Sequence, residues 1–236
     1  MSKFYNEISK YYNEIFPVGD YQIQFLKESI KSDRVNILDI ACGNGGYSKV
    51  FANLNHNVTA IDLNESMINL VKKNYKDIDA RVLNMLDIDK IDKKFELVYC
   101  IGNSLVHLEN DEEILEFLIK SSNLLNDNGK LVLQIINYNR ILDKDIKKLP
   151  IIEGDNLKFY RFYENIEDKN KISFNTRLEV NNNIYENSEM LYPIRSENLI
   201  KLLEKAGFSD IKIFGSFKKE EYEKDNSYAL VIKASI

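Results

Sequence analysis

The sequence contains no tryptophan, two cysteines, three prolines, two histidines and nine glycines among 236 residues, and each scarcity narrows what the chain can be. Cys42 and Cys100 stand far apart with no CxxC spacing, so they offer neither a disulfide framework nor a zinc site and point to a reducing compartment. No metal site is expected. Apolar runs are strand-length, well short of the roughly 20 residues that a membrane helix requires. The opening MSKFYNEISK has polar and charged residues where a signal peptide carries its apolar stretch. The expectation is a soluble, cytoplasmic protein with no membrane partner. Arginine is scarce as well: residues 34, 81, 140, 161, 177 and 195 are scattered, and the net charge is -5. With no basic stripe interleaved with aromatics and no NPPY-like motif, a nucleic-acid partner is not expected.

What the chain does have is core-forming material. Hydrophobic residues make up 44% and charged residues 29%, a balance that favours a globular fold over disorder. At roughly 150 residues per domain the length corresponds to about 1.6 domains, which suits one domain carrying additions. Residues 3–16 and 20–30 each space apolar side chains at helical intervals, with Pro17 and Gly19 between them. From residue 35 onward short apolar runs alternate with helical patterns. VNILDI, NVTAI, ARVLN, FELVYCI and KLVLQII read as strands, and the segments between them include a long amphipathic helix, DEEILEFLIKSSNLL. That alternation predicts an α/β, doubly wound, Rossmann-like, mostly parallel sheet of seven strands.

The alternation breaks over about 145–193. KISFNTRLEV has the period-2 pattern of a strand with one wet face, and FYRFYENI before it and IYENSEMLYPI after it are strand-like, giving three antiparallel strands. The pattern then resumes with a helix, SENLIKLLEKAG, capped by Gly207, and with strands DIKIFGSF and SYALVIKAS. No internal repeat is present. The expected organisation is a single domain, 1–236, with an N-terminal helical cap at 1–33 and a small antiparallel, lid-like insert at about 145–193.

The chemistry concentrates in ILDIACGNGGYS, residues 37–48, where Gly43, Gly45 and Gly46 follow a strand and precede a helix. Small residues at such a turn let backbone approach a ligand and aim the next helix's free N–H groups at it. Asp62, at the end of the second strand, is where a carboxylate would accept hydrogen bonds from two ribose hydroxyls; alone, it could equally be a helix N-cap. A dinucleotide fingerprint would need a third glycine where Ser48 stands, so an NAD-type oxidoreductase remains as an alternative, and a non-catalytic binding module is another.

From these residues the chain resembles the class I S-adenosylmethionine-dependent methyltransferases. ILDIACGNGG looks like their first motif, AIDLNESMI their second-strand acidic motif, NMLDI their third and FELVYCIGNSLVHL their fourth. The resemblance implies S-adenosylmethionine as cofactor and S-adenosylhomocysteine as product. It places Ala41, Gly43 and Gly45 at the methionine end, Asp62 on the ribose, Leu63 and Met67 beside the adenine, and Asn84 with Met85 at the adenine edge. Ile101 would contribute backbone contact. IGNSLVHL, INYNRIL and IFGSF are most similar to the glycine and sarcosine N-methyltransferase branch. In that branch an Arg precedes the NY of the fifth motif and binds the amino acid carboxylate, whereas Ile136 stands here.

The implied reaction is transfer of a methyl group to an N or O nucleophile of a small-molecule acceptor by in-line displacement. Such a reaction needs few catalytic side chains, although a hydroxyl acceptor benefits from a base. His107 is the candidate for that role or for orienting the acceptor, the alternative being a His that merely caps the segment after strand four. Asn103, Ser104, Tyr138 and Asn139 are expected on the same rim, with Asn103, His107 and Tyr138 touching the acceptor. Tyr5 or Tyr12 would close on the cofactor.

Overall fold

The computed structural model describes residues 3–166 and 170–236, the side chains at 3–7 and 165–166 excepted. The chain begins with α1 (Lys3–Ile15) and α2 (Asp20–Lys27). Then β1 (Asn36–Ile40), α3 (Gly46–Asn53), β2 (Asn57–Asp62), α4 (Glu65–Asn74) and β3 (Asp79–Val82) form the first half of a doubly wound unit. The second half contains β4 (Phe95–Cys100), α5 (Asp111–Leu124), β5 (Leu125–Ile136) and α6 (Tyr138–Asp143). Two short 3-10 turns, Met85–Lys90 and Ser104–His107, follow β3 and β4. After an antiparallel segment of β6 (Ile152–Glu153), β7 (Leu157–Ile166), β8 (Lys171–Val180) and β9 (Asn183–Leu191), the chain closes with α7 (Ser196–Lys205), β10 (Ser209–Phe214) and β11 (Ala229–Ser235).

The main sheet has seven strands in the order β10-β11-β5-β4-β1-β2-β3. Strands β3, β2, β1, β4 and β5 are mutually parallel, and β11 is antiparallel to both β5 and β10. Apolar side chains occupy both faces, as a sheet covered by helices on both sides requires. Leu38, Val98, Leu131 and Leu133 join one core with Ile114, Phe117 and Leu118 of α5 and Leu199 and Leu203 of α7. Their neighbours Ile37, Leu97, Tyr99 and Val132 join the opposite core with Phe25 and Leu26 of α2, Phe51 of α3 and Ile68 of α4. Phe25 and Leu26 are 1% and 0% exposed, and each contributes about 1.5–3 kcal/mol through that burial. Local caps define where the helices start. Asn64 accepts from Ser66 N and Met67 N ahead of α4, and Asn110 accepts from Glu113 N ahead of α5, whose first turn carries Asp111, Glu112 and Glu113. Gly207, at φ +90, ends α7 as the sequence predicts.

The antiparallel sheet has four strands, β6-β7-β8-β9, and not three. The two residues of β6 are too few to carry a period. This sheet has its own core, in which Ile8 and Ile15 of α1 pack on Leu157, Phe159, Leu178 and Val180. Its other end is stitched to the main body: Tyr192 N donates to Val106 O at 2.8 Å, and Tyr163, Ile172 and Leu191 belong to the core of the main sheet. Among the described residues no helix is long and apolar enough to cross a membrane, and no group of His, Cys, Asp and Glu could hold a metal ion.

Candidate active site

The chain runs outward from β1 to β2 and β3, then returns to place β4 on the other side of β1. This reversal opens a crevice beyond the carboxyl ends of β1 and β4, the usual ligand position in such sheets. The turn after β1 bounds it. Ala41, Gly43 and Gly45 have φ of 58, 55 and 79, a left-handed path that costs a residue with a Cβ about 1–2 kcal/mol. A Cβ at Gly43 would lie 2.5 Å from the Tyr12 hydroxyl oxygen, and one at Gly45 would lie 2.8 Å from Val71 Cγ2. The turn is therefore held under α1 on one side and against α4 on the other. Asn44 Nδ2 donates to Asn13 Oδ1 of α1 at 2.8 Å, a second tie between the same elements.

Asp62 ends β2 and reaches back to this turn. Its Oδ2 accepts from Gly43 N and its Oδ1 from Asn64 N, both at 2.8 Å. Asn64, not Asp62, is the N-cap of α4. Burial raises the Asp62 carboxyl above the usual aspartate value, opposed by the N–H bonds from Asn64 and Gly43 and by the charge of His107 across the crevice. Leu63 is 64% and Val82 46% exposed, apolar surface at the ends of β2 and β3. Asn84, exposed beside them, accepts from Leu86 N at 3.0 Å through Oδ1. Met85 is partly buried against the main core, and Met67 is 3% exposed within α4, with almost no surface to offer a base.

The opposite rim is built at the ends of β4 and β5. Ile101 is partly buried against the α2 side of the sheet. Asn103, at φ 70, accepts from Ile136 N at 2.9 Å and donates to the Tyr138 hydroxyl at 3.0 Å. Both ends of its amide are thus engaged in clasping the two strand ends. Tyr138 is 1% exposed, and burial pushes its hydroxyl up to about 12. Asn139 departs from the rim expected for it. It points away from the crevice, where its Nδ2 donates to Glu197 Oε2 at 2.8 Å and its Oδ1 accepts from Ser196 N at 2.9 Å, fixing the start of α7. Neighbouring positions on so short a helix face different ways, which the spacing alone did not register.

His107 ends the turn after β4, with its Nδ1 3.3 Å from Glu189 Oε2 on β9. The antiparallel sheet therefore reaches the rim through a charged side chain. Tyr12 lies over the glycine turn, and burial raises its hydroxyl well above the usual tyrosine value, reinforced by the nearby Asp62, Cys42 and Asp39. The side chain of Tyr5 lies outside the described residues.

Two residues of the site were not singled out from sequence. Asp39 is 3% exposed in β1, accepts from Ser48 Oγ at 2.6 Å, and is pushed by burial up to about 6. A charged residue inside the apolar run ILDI was its available signal. Glu189 had none, since an acidic residue in an alternating strand is ordinary.

Comparisons with known proteins agree with this geometry. Residues 37–129 match a family model described as a methyltransferase domain. The chain is 30% identical over 188 residues to the ubiquinone biosynthesis O-methyltransferase of Pelagibacter ubique, covering 72% of this chain and 74% of that protein. It is 26% identical over 227 residues to the glycine/sarcosine N-methyltransferase of Aphanothece halophytica, covering 89% and 78%. Among solved structures, the CcbJ methyltransferase from Streptomyces caelestis superposes with a TM-score of 0.82 at 16% identity over 98% of this chain and 97% of that one. An S-adenosylmethionine-dependent methyltransferase from Clostridium acetobutylicum gives a TM-score of 0.79 at 16% identity over 98% of each chain.

Proposed function

Because the chain belongs to the S-adenosylmethionine-dependent methyltransferases, we propose that it carries the methyl group of that donor to a nitrogen or oxygen nucleophile on a small-molecule acceptor. S-adenosylmethionine supplies a methyl group on a positively charged sulfur, which an aligned nucleophile displaces to leave S-adenosylhomocysteine. The observation that carries the reading is the anchorage of Asp62. Each of its oxygens accepts one backbone N–H and keeps acceptor capacity for a ribose hydroxyl. Leu63 and Val82 offer apolar surface to a flat base whose edge meets Asn84. Ala41, Gly43, Gly45 and Ile101 line the methionine end with backbone, and Tyr12 closes over it. Asp39 holds the start of α3 through Ser48.

Few side chains then need to act on the acceptor. The roof made by α1 and the antiparallel sheet excludes water and selects what enters. His107 takes the proton of a hydroxyl acceptor, or orients an amine, while Glu189 holds its Nδ1 side. Asn103 and Tyr138 keep the ends of β4 and β5 in register with that imidazole. The acidic balance and the scattered arginines support a small acceptor over a polyanion. One relative is named for glycine and sarcosine and another for ubiquinone biosynthesis, both in keeping with a small acceptor. Two unpaired cysteines suit the reducing cytoplasm.

The test is a panel of amines, carboxylates, phenols and thiols screened for S-adenosylhomocysteine release, alongside thermal stabilisation by S-adenosylhomocysteine and by NAD. Binding without turnover on any acceptor would leave a non-catalytic module. Stabilisation by NAD alone would overturn the cofactor.

A further inference from the structure

The roof of the crevice is the inward face of the antiparallel sheet, and its cross-strand rows change character along its length. Phe159, Leu178 and Tyr185 lie in one row, with Phe159 and Leu178 buried under α1. Ile172 and Leu191 pair in another, buried in the core of the main sheet. Between these two apolar ends lie Arg161, Thr176 and Asn187 in one row and Tyr163, Phe174 and Glu189 in the next. The polar rows therefore face the gap between α1 and the main body, and their near end carries the Glu189 that reaches His107.

Three polar atoms in these rows are buried without a hydrogen-bond partner: Arg161 Nε, Thr176 Oγ1 and Tyr163 Oη. Thr176 is 6% and Tyr163 1% exposed, so solvent does not satisfy them. Such groups are rare in folded proteins and costly to leave unmet. The guanidinium of Arg161 is also fixed, since its Nη2 donates to Pro150 O at 2.8 Å.

We propose that Arg161, Thr176 and Tyr163 form a carboxylate-binding subsite in the roof of the acceptor crevice, and that the acceptor carries a carboxylate. This rests on the methyltransferase reading given above. One guanidinium N–H and two hydroxyl donors match a singly charged group with several lone pairs; a phosphate dianion would need more positive charge than the rows contain. The sheet also orients the ligand. Successive inward rows are about 7 Å apart, and Glu189 repels an anion from the His107 end. The carboxylate is directed toward Arg161 and the protic nucleophile toward His107.

The test titrates carboxylate probes into the protein saturated with S-adenosylhomocysteine, using sarcosine against sarcosinamide and 3,4-dihydroxybenzoate against 3,4-dihydroxybenzamide. Calorimetry should show the carboxylate of at least one pair binding about tenfold or more tighter than its amide, the size of a charge-assisted hydrogen bond. Thr176→Val and Tyr163→Phe should each erase most of that preference without lowering the melting temperature, because each removes a hydroxyl that has no partner in the unliganded protein. Arg161→Met should abolish it. A merely structural role would lower the melting temperature and leave the preference intact. Equal affinity for acid and amide, or a preference that survives all three substitutions, overturns the subsite. If S-adenosylhomocysteine does not bind, the methyltransferase reading fails, and the same titration without it still judges the subsite alone.

Discussion

Asp62 Oδ2 accepts a hydrogen bond from Gly43 N at 2.8 Å, so the carboxylate at the end of β2 is locked to the glycine turn at the end of β1. The ribose and methionine portions of the donor are thus recognised by one rigid unit. Loss of two charge-assisted hydrogen bonds at about 1.5–3 kcal/mol each corresponds to roughly a hundredfold weakening or more. Asp62→Ala should show that loss in S-adenosylhomocysteine affinity by calorimetry, with Asp62→Asn falling between it and the native protein. Unchanged affinity in Asp62→Ala would sink the assignment.

The second prediction concerns the packing of Tyr12 on Gly43. Gly43→Ala adds a methyl group 2.5 Å from the Tyr12 oxygen at a residue with φ 55. The steric part of the cost depends on Tyr12; the backbone part, about 1–2 kcal/mol, does not. Denaturant unfolding of Gly43→Ala, Tyr12→Ala and the double variant should therefore be non-additive, with the double variant more stable than the sum of the single losses by about 0.5–3 kcal/mol. Strict additivity would mean that α1 does not rest on the turn.

A third outcome follows from Asp39. Its carboxyl is raised from 3.8 to about 6, chiefly by burial and despite the bond from Ser48. The native state therefore favours the protonated form. The stability this gives is full below about pH 4 and is lost as pH rises through 6, leaving a cost on the order of 3 kcal/mol at neutral pH. Asp39→Asn, which can keep the Ser48 bond, should gain on the native protein as pH rises from 4 to 7. Urea unfolding at a series of pH values measures this, and a constant difference between the two proteins would refute it.

Much of the doubly wound body was legible because burial on both faces leaves an unmistakable pattern: apolar strand, glycine turn, helix, and a carboxylate closing the next strand. Asp62 was found that way. The parts that escaped are short or long-range. The two residues of β6 and the six of α6 are too brief for any period to register. Asn139 looked like a rim residue until its amide was found bonded to Ser196 and Glu197. The meeting of His107 with Glu189 depends on how the antiparallel sheet folds back over the crevice, and neither residue's neighbours in sequence encode that. The unpartnered Thr176 and Tyr163 side chains escaped for the same reason, since an alternating strand announces which residues face inward but not what they will find there.

The pairing of His107 Nδ1 with Glu189 Oε2 at 3.3 Å yields the last prediction. An imidazole steadied on one nitrogen by a carboxylate presents the other to a proton on the acceptor. For a hydroxyl acceptor, general-base assistance contributes about 10²–10⁴ in rate. His107→Asn should cost that much in kcat while leaving S-adenosylhomocysteine affinity nearly intact, because the ribose and base contacts lie on the far side of the crevice. An amine acceptor whose lone pair is already free should lose far less. Glu189→Gln should give a smaller loss, since the imidazole remains but its orientation and charge support are weakened. If the two residues work as a unit, the double variant will be scarcely slower than His107→Asn alone. Steady-state kinetics on one phenol and one amine from the responsive part of the panel separates these cases. Equal losses for both acceptors would assign His107 to binding the acceptor and not to moving its proton, whereas full additivity with Glu189→Gln would mean that the carboxylate acts on the acceptor directly.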